Sequence, residues 1–255
     1  MEKMKNHINL DNALKKMITI EGLNVSFGDN HVLRNLDLTL NKGENLTVLG
    51  KSGSGKSVLI KCIIGLIKPD SGSIKVLGQE VTNLESNELY DIRRKTGFLF
   101  QSNALYDSMS VRENLEFPLR RHGIEKSKDE VDELVHEALT NVGLPETEEM
   151  MPSELSGGMK KRIALARTLI LKPDIILYDE PTTGLDPITG KEICHLMLDI
   201  QEKYNTSSII ISHDIYGIKI VANRIFMLID GMCYDDGTYS ELIKSKDPKV
   251  KSFFE

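Results

Sequence analysis

Gly50-Lys51-Ser52-Gly53-Ser54-Gly55-Lys56-Ser57 lies between two apolar runs. Leu46-Thr47-Val48-Leu49 before it reads as a short buried strand. Val58-Leu59-Ile60-Lys61-Cys62-Ile63-Ile64-Gly65-Leu66 after it reads as a helix stopped near Lys68-Pro69, because proline cannot continue a helix. The octapeptide fits G-x-x-x-x-G-K-[ST], a P-loop, in the strand–loop–helix context this pattern requires. Polyphosphate is dense in negative charge. Gly50, Gly53 and Gly55 let backbone N–H groups approach it closely, and the following helix adds the partial positive charge of its N-terminus. Lys56 is expected to reach the β- and γ-phosphates, and the Ser57 hydroxyl to hold Mg²⁺. Lys51, Ser52, Ser54 and, just beyond, Val58 complete the candidate cradle.

A chain of 255 residues, 40% apolar, can bury a full core as one large domain or two small ones. Its formal net charge of −6 lacks the basic footprint of a nucleic-acid binder, so none is expected as a partner. Apolar runs such as Ile209-Ile210-Ile211 fall far short of the ~20 residues that span a bilayer. The N-terminus has no continuous apolar region of the secretory kind. Cys62, Cys194 and Cys233 are odd in number and scattered, which reads as reduced core thiols of a cytosolic protein.

Residues 1–16 are polar and weakly patterned, an extension with room for one short helix. Strand-like runs follow at 17–20, 23–27 and 36–40. In the last of these Leu36, Leu38 and Leu40 alternate with polar residues, as in an antiparallel strand with one wet face. Phe27 ends a strand upstream of the P-loop. It is either an adenine-stacking aromatic or a core phenylalanine. Ser71-Gly72-Ser73 reads as a turn into a strand at 74–77, and 89–95 as a helix. Residues 97–101 read as a buried strand ending in Gln101, at the sheet edge where open α/β folds bind ligands; an ordinary loop residue is the alternative.

Between 110 and 149 the chain turns rich in Glu and Lys. Val131, Leu134, Val135, Ala138 and Leu139 repeat at helical spacing, which predicts an inserted helical lobe. Leu155-Ser156-Gly157-Gly158-Met159 then opens a helix over 160–171, a second potential anion cradle, weak on its own. Ile175-Ile176-Leu177-Tyr178-Asp179-Glu180 is a hydrophobic strand closed by two acids, a Walker-B pattern. Two carboxylates there are costly unless they serve a metal or are paired. Asp179 is suited to Mg²⁺ and Glu180 to polarising an attacking water. Asp186-Pro187 caps the next helix. Strand 208–212 delivers His213 to the same sheet edge, placed to sense a γ-phosphate. A hairpin through Asp230-Gly231 and a capping box at Thr238-Tyr239-Ser240-Glu241 precede a tail whose Phe253-Phe254 either packs back or docks elsewhere.

In this order the motifs resemble those of the ATP-binding cassette (ABC) ATPases over about residues 17–239. The resemblance implies an α/β nucleotide-binding domain: a RecA-like P-loop core, an antiparallel β subdomain and an inserted helical subdomain. The cassette would span 17–242, with the helical lobe at about 103–160 and a tail at 243–255. It implies roles by position. Phe27 resembles the adenine-stacking aromatic, Gln101 the Q-loop glutamine that contacts Mg²⁺, and Asp186 the D-loop aspartate. His213 resembles the switch histidine. Ser156, Gly157 and Gly158 resemble the signature that grips the γ-phosphate on the opposite subunit. Such proteins bind ATP and Mg²⁺ and work as head-to-tail dimers beneath a membrane permease. A narrower likeness rests on Val58, on Met159-Lys160-Lys161-Arg162, on the run 101–111 with Asn114 and Phe117-Pro118-Leu119, and on Asp186-Pro187-Ile188-Thr189. These resemble the Mla-type ATPases, which energise lipid transport with MCE-domain proteins from the cytoplasmic face of the inner membrane. The competing expectations are a cassette for another solute, a non-transport cassette ATPase, and a nucleotide-binding regulatory module without turnover. The last fits poorly, since it needs neither Glu180 nor His213.

Overall fold

The computed structural model describes residues 15–85 and 88–255. The extension read over 1–16, with its short helix, therefore lies almost wholly outside the described residues. Strand β1 (Lys16–Phe27) already includes Lys16 and pairs antiparallel with β2 (Asn30–Asn41). Leu36, Leu38 and Leu40 are buried while Asp37 is exposed, as their alternation predicts. The runs 17–20 and 23–27 are one strand with a bulge at Gly22, whose φ is +58°. Ser71-Gly72-Ser73 is not a turn: it opens β4 (Ser71–Val76), which pairs with the other side of β1. A Cβ on Gly72 would lie 2.6 Å from the Gly22 carbonyl oxygen, so glycine is what lets β4 pass the bulge. With β5 (Gln79–Glu80) this sheet has the order β2-β1-β4-β5.

The second sheet has the order β10-β9-β3-β8-β7-β6. It is built of β3 (Asn45–Leu49), β6 (Thr96–Leu99), β7 (Ile175–Asp179), β8 (Ser207–Ser212), β9 (Arg224–Ile229) and β10 (Met232–Gly237). Only β10, at one edge, is antiparallel to its neighbour. Covered on both faces, its central strands read as unbroken apolar runs. Ile209 and Ile211 face the cluster shared with Ile18, Ile20, Leu40 and Leu59, while Ile210 between them faces Ile163, Ile193 and Met197. Each such side chain contributes about 1.5–3 kcal/mol by leaving water.

The P-loop helix α1 (Lys56–Ile63) ends earlier than Lys68-Pro69 would suggest. Gly65, at φ +65°, reverses the chain, and the Leu66 and Ile67 amides donate to the Lys61 carbonyl. After α2 (Leu89–Lys95) come α3 (Val111–Arg121), α4 (Lys128–Asn141) and α5 (Gly157–Leu169). Capping boxes at Ser110/Glu113 and Ser127/Glu130 start α3 and α4, each cap worth about 1 kcal/mol. Val135, Ala138 and Leu139 bury against α5, with Val131 and Leu134 at the margin. Helix α5 begins three residues before Lys160, because Ser156 caps it. The remaining helices are α6 (Pro187–Tyr204), α7 (Ile215–Val221), α8 (Tyr239–Leu242) and α9 (Pro248–Lys251).

The tail packs back. Val250 is buried with Leu49, Ile218, Ile225, Met227 and Leu242, and Phe253 and Phe254 close over them. The Phe254 ring meets Tyr239 edge-on at 5.6 Å. Cys62 and Cys194 are core thiols, but Cys233 is exposed, because it lies on the outer hairpin strand β10. No described helix is long and apolar enough to cross a membrane.

Candidate functional site

Four neighbouring parallel strands release their chains at one edge. Leu49 of β3 is in register with Ser212 of β8, Ile211 with Asp179 of β7, and Tyr178 with Leu99 of β6. The residues that follow must therefore meet there: the P-loop after β3, His213 after β8, Glu180 after β7 and Gln101 beyond β6. They enclose a cavity of about 830 Å³. Its walls hold the P-loop residues 50–53 and 55–57, Val58, Gln101, Glu180, His213 and, from the antiparallel sheet, Phe27. Phe27 is 52% exposed, which decides its reading: it is a cavity wall and not a core residue.

The loop geometry is specific. A Cβ on Gly50 would fall 2.5 Å from both the Leu228 carbonyl oxygen and the Ser54 hydroxyl. Gly55, at φ +102°, caps α1 with no side-chain hydrogen bond, and the first turn carries no acid. The positive end of α1 is thus left for an anion. The Ser54 hydroxyl is buried without a partner among the described residues. Lys56 is buried and folds back on its own loop, donating to the carbonyls of Gly50 at 2.7 Å and Lys51 at 3.0 Å. Burial lowers its pKa, against the pull of Glu180 and Asp179.

Asp179 lies behind Ser57, whose hydroxyl stands 3.4 Å from its Oδ1. Burial, seconded by the charge of Glu180, holds the Asp179 carboxyl above its ordinary range, while Ser57, Lys61 and Lys56 pull the other way. A hydroxyl beside a buried carboxylate is a hard-oxygen donor set that fits Mg²⁺, with Ser57 and Gln101 on the same cavity wall. Glu180 adopts φ +51°, a left-handed turn costing about 1–2 kcal/mol outside glycine. Its amide donates to Ile211 at 3.0 Å. Its Oε2 lies 2.8 Å from His213 Nδ1 and accepts from the Thr183 hydroxyl at 3.2 Å. Thr183 was not anticipated; only its place after the two acids marks it.

Ser156, Gly157, Gly158 and Asp186 do not join this cavity. Ser156 caps α5, accepting from the Met159 amide at 3.2 Å. Asp186 caps α6 and lines a separate hollow of about 420 Å³ with Thr182, His213 and Asp214. The two helix starts touch: a Cβ on Gly158 would sit 2.8 Å from Thr189 Cγ2, and Thr189 donates to Asp186 Oδ2 at 2.6 Å. Ser252 and Phe253 also line the P-loop cavity. No sequence signal ties that distant tail to the loop.

Comparison with known proteins agrees with this geometry. Residues 33–183 match the family model described as ABC transporter. The intermembrane phospholipid transport ATP-binding protein MlaF of Haemophilus influenzae is 38% identical, over 94% of this chain and 90% of that protein. The probable ribonucleotide transport ATP-binding protein mkl of Mycobacterium tuberculosis is 40% identical over 92% of this chain. The alignment takes in 66% of that mycobacterial protein's own length. Among solved structures, the dimeric ATP-binding cassette MJ0796, in a post-hydrolysis state bound to ADP and Pi, superposes with a TM-score of 0.79. It shares 33% identity over 87% of this chain and 98% of its own. On the matched family model and these relatives, the chain belongs to the ABC transporter family, as one of its ATPase cassettes.

Proposed function

We propose that the chain hydrolyses ATP to drive phospholipid movement through a membrane permease. The observation that carries the hydrolytic part is the Glu180–His213 pair, 2.8 Å apart at the mouth of a P-loop cavity. The cassette spans 17–242, with a helical lobe at about 103–160 and a tail at 243–255. The backbone of residues 50–58 and Lys56 bind the phosphates. Phe27 stacks on the adenine. Ser57, Asp179 and Gln101 would hold Mg²⁺, which would supply neutralisation of the phosphate charge.

The Thr183 hydroxyl donates to Oε2 of Glu180 and His213 stands beside that same oxygen, so Oε1 is the one that receives a proton from water. The water oxygen bonds to the γ-phosphorus as the bond to the bridging oxygen breaks, leaving ADP and phosphate. Ser156, Gly157, Gly158 and Asp186 lie away from the chain's own cavity, and they act on the nucleotide of a second, head-to-tail copy. ATP shared between two copies favours the closed pair, a population shift that hydrolysis reverses.

The lipid assignment is supported by the H. influenzae relative, which is named for phospholipid transport and is matched over 90% of its length. The partners are then a permease and an MCE-domain protein, with the cassette peripheral at the cytoplasmic face of the inner membrane. The mycobacterial relative, named for ribonucleotide transport, favours a second reading with another solute. Gentle detergent purification from native cells, followed by mass spectrometry, separates the two. Co-elution of a permease, an MCE-domain protein and bound phospholipid is expected. A permease with a soluble-solute receptor would overturn the lipid assignment.

A further inference from the structure

The loop after Gln101 takes a backbone form that alanine does not favour. Asn103 and Ala104 are consecutive and both left-handed, at φ +64° and +51°. Ala104 has no polar group to compensate the strain at its Cβ, and Oδ1 of Asn103 is buried without a partner among the described residues. Such a segment persists only where its surroundings hold it. Here the holders come from one helix. Lys161 of α5 is 2% exposed and its Nζ donates to the Gln101 carbonyl at 3.1 Å. Arg167 of α5 donates to the carbonyls of Ala104 at 2.8 Å and Asn103 at 3.1 Å, with its guanidinium 5.9 Å from the Tyr106 ring. Beyond them, the fully buried Asn114 of α3 takes both backbone groups of Tyr106. Burial lowers the Lys161 pKa against the pull of Asp179, and among the described residues its one hydrogen-bond partner is the Gln101 carbonyl, a costly way to stabilise a core. Helix α5 is also the helix that begins at Ser156-Gly157-Gly158.

We propose that Lys161 and Arg167 are positioning residues that tie the Gln101 loop to the signature helix, so that a ligand at the start of α5 is felt at Gln101 through the helix itself. Resting on the ATPase reading above, this goes beyond it by assigning the link between the two ends. The loop supplies the element with two arrangements: it is held left-handed while the two cations grip its carbonyls, and it relaxes when they let go. Neither residue touches nucleotide. Lys161 acts through the Gln101 carbonyl, and Arg167 through the two residues that follow.

The test uses the purified full chain, with MgATP turnover, ATP affinity and melting temperature measured on each variant. Lys161→Met keeps length and removes the donor. It is expected to lower kcat on the order of 10–100-fold through misplacement of Gln101. ATP affinity should stay within about twofold, and the melting temperature should hold or rise, since a buried charge has gone. Lys161→Gln, which keeps an N–H donor, should recover most of the rate. An unchanged kcat in Lys161→Met, or a loss of kcat that tracks a loss of melting temperature, overturns the role of Lys161. Arg167→Met tests the second grip without touching the first. Its turnover should fall, and Ala104→Gly in the same chain should restore part of it, because glycine adopts the left-handed form without support. No restoration overturns the role of Arg167. Should the unaltered chain fail to hydrolyse ATP, it is the ATPase reading that falls, a result distinct from any of these.

Discussion

The molecule has two glycine-rich helix starts, and they are built differently. At α1 the cap is Gly55, with no side-chain hydrogen bond, and cavity walls surround the loop. At α5 the cap is Ser156, which satisfies the Met159 amide, and none of its three signature residues reaches the P-loop cavity. Neither first turn carries an acid, so both keep their positive ends. On the proposed function, the first binds its anion within one chain, whereas the second contributes only when another copy brings the other half. A ligand would complete α1, and a subunit α5.

The largest break in that comparison should come from Glu180→Gln. It removes the proton acceptor beside the α1 cavity and is expected to lower kcat by about 10²–10⁴ while ATP still binds. Steady-state phosphate release checks it, and unchanged turnover would sink the assignment of Glu180. Next in size, Lys56→Ala should weaken ATP binding by about 10–100-fold, the loss of a charge-assisted bond to phosphate. Fluorescent-nucleotide titration reads this directly. Retained affinity would mean that the cavity holds ATP without its lysine. The smallest effect belongs to α5. Ser156→Ala loses a cap worth about 0.5–2 kcal/mol, a few degrees of melting temperature in a domain of this size. ATP affinity of the single chain should not move. A loss of single-chain affinity would mean that the signature already serves its own nucleotide.

A fourth measurement sharpens the electrostatics. The Asp179 carboxyl is raised above its unfolded value. For this group the folded state is favoured below the ordinary carboxylate range, and that advantage is lost as pH rises through the raised pKa. Asp179→Asn should thus raise the melting temperature at neutral pH and flatten its acid dependence, while abolishing Mg²⁺-dependent turnover. A lower melting temperature at pH 7 would show that the carboxylate is stabilising as it stands.

Much of this was legible in the chain because it is local. The P-loop, the two acids closing β7 and the capping boxes each occupy a few consecutive residues, and the alternation of Leu36, Leu38 and Leu40 reports one buried face. What was not legible depends on partners far along the chain. Ser71-Gly72-Ser73 has turn chemistry, yet Gly72 is there to pass the bulge at Gly22. The end of α1 was read at a proline, but the αL glycine before it acts first. Phe27 was ambiguous until the antiparallel sheet placed it on the cavity wall. Lys161 stands out only within Met159-Lys160-Lys161-Arg162, and nothing local says that it holds a carbonyl sixty residues away.

The strand order has a dynamic consequence. Of the four strands that feed the cavity, β3, β8 and β7 are each hydrogen-bonded on both sides, whereas β6 pairs with β7 alone among the described residues. Edge pairing sets a lower opening free energy than central pairing. In amide hydrogen exchange the Thr96–Leu99 backbone should therefore take up deuterium well before the Asn45–Leu49 backbone beneath the phosphate loop. The fold anchors the strand that leads to the P-loop and leaves compliant the one that leads to Gln101.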